Sequence, residues 1–134
     1  MEKNFVVLLQ GVVYNPETKK ILIGKRENDP NISELTWCFP GGRLNPGEDL
    51  ETVLKKRIKE KTGLDIENLG TIFAKTYPEK KEFLSIYYLC EVVSGEEKSA
   101  DDFIEVKWVS PEELENYFTT SFHPKLKEYI LNLK

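Results

Sequence analysis

Residues 37–64 constrain the fold more than any other part of this chain, because they join an extended aromatic segment, a glycine pair and a bounded helix. Trp37-Cys38-Phe39 leads directly into Pro40-Gly41-Gly42. Asp49 suits the N-cap of a helix, and Gly63 suits the left-handed position at which a helix ends. The spacing therefore predicts one helix between Asp49 and Gly63, preceded by a short strand and a glycine-containing segment.

The rest of the chain mixes strand patterns with helix signals. Gly11 separates two apolar stretches and is predicted to permit a bend or bulge there. Ser110 and Pro111 open a capping pattern that predicts a helix start, and a last helix is predicted near residues 124–133. The predicted strands are residues 5–9, 12–14, 21–26, 37–39, 71–76, 83–93 and 103–109. Strands mixed with two or three helices predict an α/β or α+β domain with a layered core.

Size and charge limit the classes of function. With 134 residues, the chain is long enough for one domain with a substantial core. No apolar run reaches the length of a membrane span and no signal-peptide pattern opens the chain, so a cytoplasmic protein without membrane attachment is expected. The net charge of −4 argues against broad binding to nucleic-acid backbones, although a local basic pocket for a small anion is compatible with it. Cys38 and Cys90 are expected to be free, buried thiols.

Residues 42–64 resemble the Nudix box, the motif of the Nudix (MutT-like) hydrolases. That motif reads G-x5-E-x7-R-E-U-x-E-E-x-G-U, where U is an aliphatic residue. The chain matches its frame without a gap, from Gly42 through Glu48 to Gly63 and Leu64. The resemblance implies an α/β/α sandwich, with a mixed β-sheet between helices, as a single domain over residues 1–134. It also makes a homodimer a candidate assembly, since family members are often dimers.

The helix departs from the motif in its charges. Of the three glutamates that the motif places there, only Glu60 is present, and Arg57 and Lys61 stand at the other two positions. On a helical wheel, both cations fall within the apolar stripe, whereas Lys55 and Lys59 lie on the outer face. Arg57 and Lys61 are therefore predicted to point into the protein rather than into solvent.

The resemblance also assigns roles to individual residues. Hydrolysis of a diphosphate bond needs phosphate charge to be neutralised and water to be activated, and Mg²⁺ does both through oxygen ligands. The implied catalytic residues are Glu60 and Glu48. The implied ligands of a single Mg²⁺ or Mn²⁺ ion are Glu60, Glu48, the Gly41 carbonyl and Asp102. The implied contacts to substrate phosphate are Arg57, Lys61, Arg43 and Arg26.

Three hypotheses account for the two cations on the helix. In the first, the protein hydrolyses a nucleoside diphosphate linked to another group, such as a nucleotide sugar or ADP-ribose, and both cations bind its phosphates. In the second, hydrolysis is lost, and the domain is a noncatalytic binding module for a small nucleotide or another phosphate ligand. In the third, both cations pair with acids elsewhere and serve structure alone. Selection of base and sugar is assigned to the loops 27–36 and 77–83.

Overall fold

A computed structural model describes residues 4–26, 36–118 and 123–133, which form seven strands, two α-helices and one turn of 3-10 helix. The strands are β1 (Val6–Asn15), β2 (Lys20–Lys25), β3 (Trp37–Cys38), β4 (Gly41–Leu44), β5 (Leu64–Tyr77), β6 (Lys80–Gly95) and β7 (Glu105–Val109). The helices are α1 (Leu50–Thr62) and α2 (Pro124–Leu131), and the 3-10 turn covers Leu114–Asn116. Neither helix is long and apolar enough to cross a membrane, within the residues described.

The strands form one mixed sheet. Its main path runs β3-β2-β1-β6-β5, and β4 pairs with β1 while β7 pairs with β2. Strands β1 and β6 are parallel, and the other pairs are antiparallel. The α/β class and the mixed sheet predicted from the sequence are therefore confirmed.

The two helices cover opposite faces of this sheet. Side chains alternate between the faces along a strand, so neighbouring residues of one strand pack against different helices. Leu9 and Val13 of β1 pack with Leu54 and Ile58 of α1. The intervening side chain of Val12, on the opposite face, joins the core that contains the apolar side of α2. Leu54 and Ile58 are fully buried, and each such burial contributes about 1.5–3 kcal/mol. The layers are those of the expected α/β/α sandwich.

Helix α1 has the limits that the sequence predicts. The backbone N–H and the hydroxyl of Thr52 donate to Asp49 Oδ2 at 3.0 and 2.7 Å. The hydroxyl bond is the larger cause of a lowered pKa for the Asp49 carboxyl. At the other end, Gly63 adopts φ 78° and its N–H donates to the Lys59 carbonyl. These caps fix the register of the helix and so decide which side chains face the sheet.

The bend predicted at Gly11 is wrong. Strand β1 runs through this position without interruption and pairs in regular register with β6 from Val6 to Val13. A Cβ at Gly11 would lie 2.6 Å from Ile58 Cδ1. The glycine therefore lets α1 approach the sheet closely, and the strand stays straight.

Several other boundaries differ from the predictions, and most of the predicted loop 77–83 is strand, because β5 ends at Tyr77 and β6 begins at Lys80. Strand β5 begins at Leu64, directly after α1, rather than at Thr71, because Leu64 and Ile66 alternate into the α1 core. The helix predicted from Ser110 is a turn followed by 3-10 helix. Its hydrogen bonds span three residues, from Glu113 N to the Ser110 carbonyl and from Tyr117 N to the Leu114 carbonyl. Good capping residues did not extend this segment into an α-helix.

The two cysteines are expected to differ in reactivity. Cys90 is fully buried in the α1 core, and burial raises the pKa of its thiol to about 12. Because the thiolate is the reactive form, this thiol is expected to react slowly. Cys38 is only partly buried, so the prediction of a buried thiol is wrong at this position. We expect a disulfide reagent to modify one thiol per native chain and the second only in denaturant; prompt modification of both in the native state would contradict the packing around Cys90.

Candidate functional site

The glycine pair lies in β4, between β1 and helix α1. A Cβ at Gly41 would overlap the backbone carbonyl of Leu9 on β1. A Cβ at Gly42 would lie 2.9 Å from Cγ and 3.0 Å from Cδ of Arg57. The Arg57 side chain therefore lies against the backbone of Gly42, which brings α1 and β4 together at one site.

The wheel prediction for α1 is confirmed by side-chain exposure. The Lys61 side chain is 11% exposed and that of Arg57 is 30% exposed, whereas Lys55 and Lys59 are about half exposed. Lys55 and Lys59 form exposed ion pairs with acids outside the site. The helix thus separates two inward cations from two outward ones.

Arg57 is paired with Glu60, its neighbour one turn along α1. The guanidinium Nη1 lies 3.2 Å from Glu60 Oε1. Glu60, the predicted metal ligand and catalytic residue, is thus paired with a cation of the same helix. Since the Glu60 side chain is 40% exposed, the pair is one that solvent screens, and such pairs contribute about 0.2–1 kcal/mol.

Lys61, Asp102 and Arg26 form a second ionic group beside the first. Arg26 Nη2 lies 2.9 Å from Asp102 Oδ2, and Lys61 Nζ lies 3.4 Å from Asp102 Oδ1. That Oδ1 atom is buried and makes no hydrogen bond, although the lysine is within ion-pair distance. Asp102, predicted to be a metal ligand, therefore pairs with Arg26 and Lys61. Both of these cations were predicted to contact substrate phosphate.

Segment 96–104 holds Lys61 in this position. Its backbone N–H groups at Lys98 and Ala100 donate to the last carbonyls of α1, those of Thr62 and Lys61, at 2.8 and 3.1 Å. Phe103 is buried against Gly24, and Lys61 Nζ lies 5.5 Å from the centre of its ring. A cation over an aromatic face is stabilised by the ring's quadrupole. Sequence reasoning did not assign Phe103 to the site, because nothing local links it to residue 61.

The other two predicted site residues, Glu48 and Arg43, form no ion pair with these groups among the described residues. Glu48 closes the turn before α1, where the Asn45 N–H donates to its Oε1 at 2.8 Å. Arg43 is exposed on β4, and it alternates with Gly42, so its side chain leaves the opposite face of the strand. The site therefore consists of Gly41, Gly42, Arg57, Glu60 and Lys61, flanked by Arg26 and Asp102.

The acids as arranged do not fit a carboxylate-bound metal ion. Among the described residues, no three His, Cys, Asp or Glu side chains are grouped so as to hold one. Each predicted ligand acid already has a partner within the chain: Arg57 for Glu60, the turn backbone for Glu48, and two cations for Asp102. A divalent ion there would also meet Arg57 and Lys61, and each like-charge contact with it at about 4 Å costs several kcal/mol at an effective dielectric near 20.

The same arrangement suits an anion. Three cations, Arg26, Arg57 and Lys61, face two carboxylates, so the site carries one net positive charge on a chain whose net charge is −4. Guanidinium and ammonium groups form charge-assisted hydrogen bonds with phosphate oxygens. The site is thus a local basic surface on an acidic protein.

Comparisons with known proteins match this chain to one family of domains. A family model described as the NUDIX domain matches residues 9–132. The nucleoside triphosphatase NudI of Escherichia coli is 31% identical over 108 residues, which cover 72% of this chain and 77% of that protein.

Solved structures show the same fold. A Nudix hydrolase from Nitrosomonas europaea has a TM-score of 0.79 at 17% identity, covering 98% of this chain and 73% of its own. An ADP-ribose pyrophosphatase from Streptococcus suis has a TM-score of 0.72 at 19% identity, and the match covers 94% of this chain and 90% of that protein. A MutT protein from Methanosarcina mazei has a TM-score of 0.73 at 24% identity, and the match covers 97% of this chain and 95% of that protein. The sandwich is therefore shared with these proteins along nearly the whole chain.

Proposed function

The chain belongs to the Nudix domain family, and we propose that it binds a nucleoside diphosphate linked to another group, with the phosphates held by the inward cations of α1. The main observation in support is the position of Arg57 and Lys61, which lie one turn apart on the inward side of the helix and beside the glycine pair. Their location at the family's catalytic helix supports a phosphate-binding role.

The site supports binding through geometry as well as charge. Arg57 lies along the backbone of Gly42, where a larger residue would displace it. Lys61 is held by Phe103 and Asp102, so little side-chain freedom remains to be lost when a phosphate binds. Relatives and structural neighbours named as a nucleoside triphosphatase and an ADP-ribose pyrophosphatase support nucleotides as the ligand class.

Hydrolysis is the second candidate function, and Glu60 is the observation that favours it. Its carboxylate is exposed and is held by one 3.2 Å contact to Arg57, which a competing ligand of the guanidinium can break. The family resemblance implies Glu60, Glu48 and the Gly41 carbonyl as ligands of a single Mg²⁺ or Mn²⁺ ion, and both acids would have to leave their present partners to hold it. The metal would supply charge neutralisation and an activated water.

A ligand and substrate panel distinguishes the two functions. It comprises ADP-ribose, nucleotide sugars, dinucleotides, nucleoside triphosphates and capped RNA, each with Mg²⁺ or Mn²⁺ and again in excess EDTA. We expect saturable binding of at least one nucleotide class without metal-dependent turnover. Turnover that Glu60→Gln abolishes would establish the hydrolase instead, and absence of binding across the panel would contradict both functions.

A further inference from the structure

We propose that Glu60 and Asp102 stand where ligand phosphate oxygens bind, so that a phosphate enters by displacing carboxylates of this chain and needs no divalent ion. This inference rests on the proposed function, since it concerns the same site. It identifies the ligand form as the metal-free polyphosphate anion.

Glu60 meets the requirement for a displaceable anion. Its Oε1 lies 3.2 Å from Arg57 Nη1, so it occupies one donor of the guanidinium that lies against Gly42. The carboxylate belongs to an exposed position of α1 and can rotate into solvent without unpacking the core. A phosphate carries more charge than a carboxylate and offers more acceptor oxygens, so it competes well for the same donor.

Asp102 plays the equivalent part for Lys61 and Arg26. Its Oδ2 is well paired with Arg26 at 2.9 Å, but its Oδ1 is buried, lies 3.4 Å from Lys61 Nζ and makes no hydrogen bond. A buried carboxylate oxygen without a hydrogen bond is costly. The contact between Lys61 and Asp102 Oδ1 is therefore a weak one. A phosphate oxygen that forms a hydrogen bond with Lys61 stabilises the ammonium group more than this carboxylate oxygen does.

Metal dependence follows from the same charges. A magnesium nucleotide brings a cation toward Arg57 and Lys61, whereas the free nucleotide brings only anionic oxygens. Repulsion at short range opposes the magnesium complex. The site is therefore expected to prefer the nucleotide in the presence of a chelator.

Calorimetric titration of the full chain with inorganic pyrophosphate and with ADP tests this exchange. Both probes are expected to bind in excess EDTA and to bind more weakly when Mg²⁺ is added. Glu60→Gln removes the competing charge but keeps the side-chain shape, and we expect it to tighten binding by up to about fivefold, the upper limit set by a screened ion pair. Asp102→Asn is expected to tighten binding in the same direction.

Asp65→Asn is the matched control, because it also removes one carboxylate charge. Asp65 pairs with Lys59 at 3.0 Å on the outward face of α1, so its replacement is expected to leave the affinity unchanged. Equal tightening in this control would overturn the exchange in favour of a general charge effect. Binding that requires Mg²⁺ or is weakened by Glu60→Gln would overturn the exchange and leave the proposed function standing. Failure of both probes to bind under any condition would overturn the proposed function itself, and the exchange with it.

Discussion

Gly41→Ala is expected to lower the free energy of unfolding by about 3 kcal/mol, the upper range for forcing an atom into packed structure. Gly41 pairs with Gln10 in the ladder between β4 and β1, and its Cβ would overlap the Leu9 carbonyl. That neighbour is backbone in the central strand, so it has no side-chain rotation by which to yield. Urea denaturation followed by far-UV circular dichroism measures the change as a lower midpoint at an unchanged slope.

Gly47→Ala supplies the control for this prediction. Gly47 lies in the turn before α1 at φ 87°, and a Cβ there would meet no atom within 4 Å. The replacement is therefore expected to lower the free energy of unfolding by only about 1 kcal/mol, the cost of holding a non-glycine residue in the left-handed region. If Gly41→Ala unfolds at the same urea concentration as Gly47→Ala, the close approach of β4 to β1 is wrong. A larger shift in Gly41→Ala than in Gly47→Ala would place the glycine requirement in the sheet, beside the site.

The fold was predictable from sequence where signals were local. The caps at Asp49 and Gly63 identify α1, and the periodicity of its apolar stripe predicts which side of the helix faces the sheet. The error at Gly11 has a different origin. A glycine in a strand signals either a bulge or a close neighbour, and the neighbour here is Ile58, about fifty residues along the chain.

Most residues of the candidate site carry a signal in the sequence, but their pairing does not. The motif frame located Gly41, Gly42, Arg57, Glu60 and Lys61, and the structure groups these together. Asp102 was also located, with the role of a metal ligand. That role depended on the groups around the carboxylate, which pairs with Arg26, just after β2, and with Lys61 of α1. Long-range packing, through Phe103 against Gly24, decides that arrangement and leaves no local pattern in the sequence.

The double replacement Arg57→Glu with Lys61→Glu is expected to weaken ADP binding at least about 100-fold. Each charge-assisted hydrogen bond contributes about 1.5–3 kcal/mol, and 1.4 kcal/mol corresponds to a tenfold change in affinity. The replacements remove both donors and add two carboxylates that repel phosphate. Titration calorimetry with ADP in EDTA measures the loss, after circular dichroism has shown that the variant folds.

Lys55→Glu with Lys59→Glu is the matched control, because it changes the net charge of the same helix by the same amount. Both side chains lie on the outward face, about half exposed, and pair with Glu51 and Asp65. Screening by water and salt makes such charges weak at a distance, so affinity for ADP is expected to change by less than about threefold. Equal losses in the two variants would mean that the total charge of the helix, rather than its inward face, attracts the ligand. If the inward variant instead gains magnesium-dependent hydrolysis, Arg57 and Lys61 are what separates this chain from a catalytic relative. Loss of ADP binding without a gain of hydrolysis would mean that Arg57 and Lys61 bind the phosphates of the ligand.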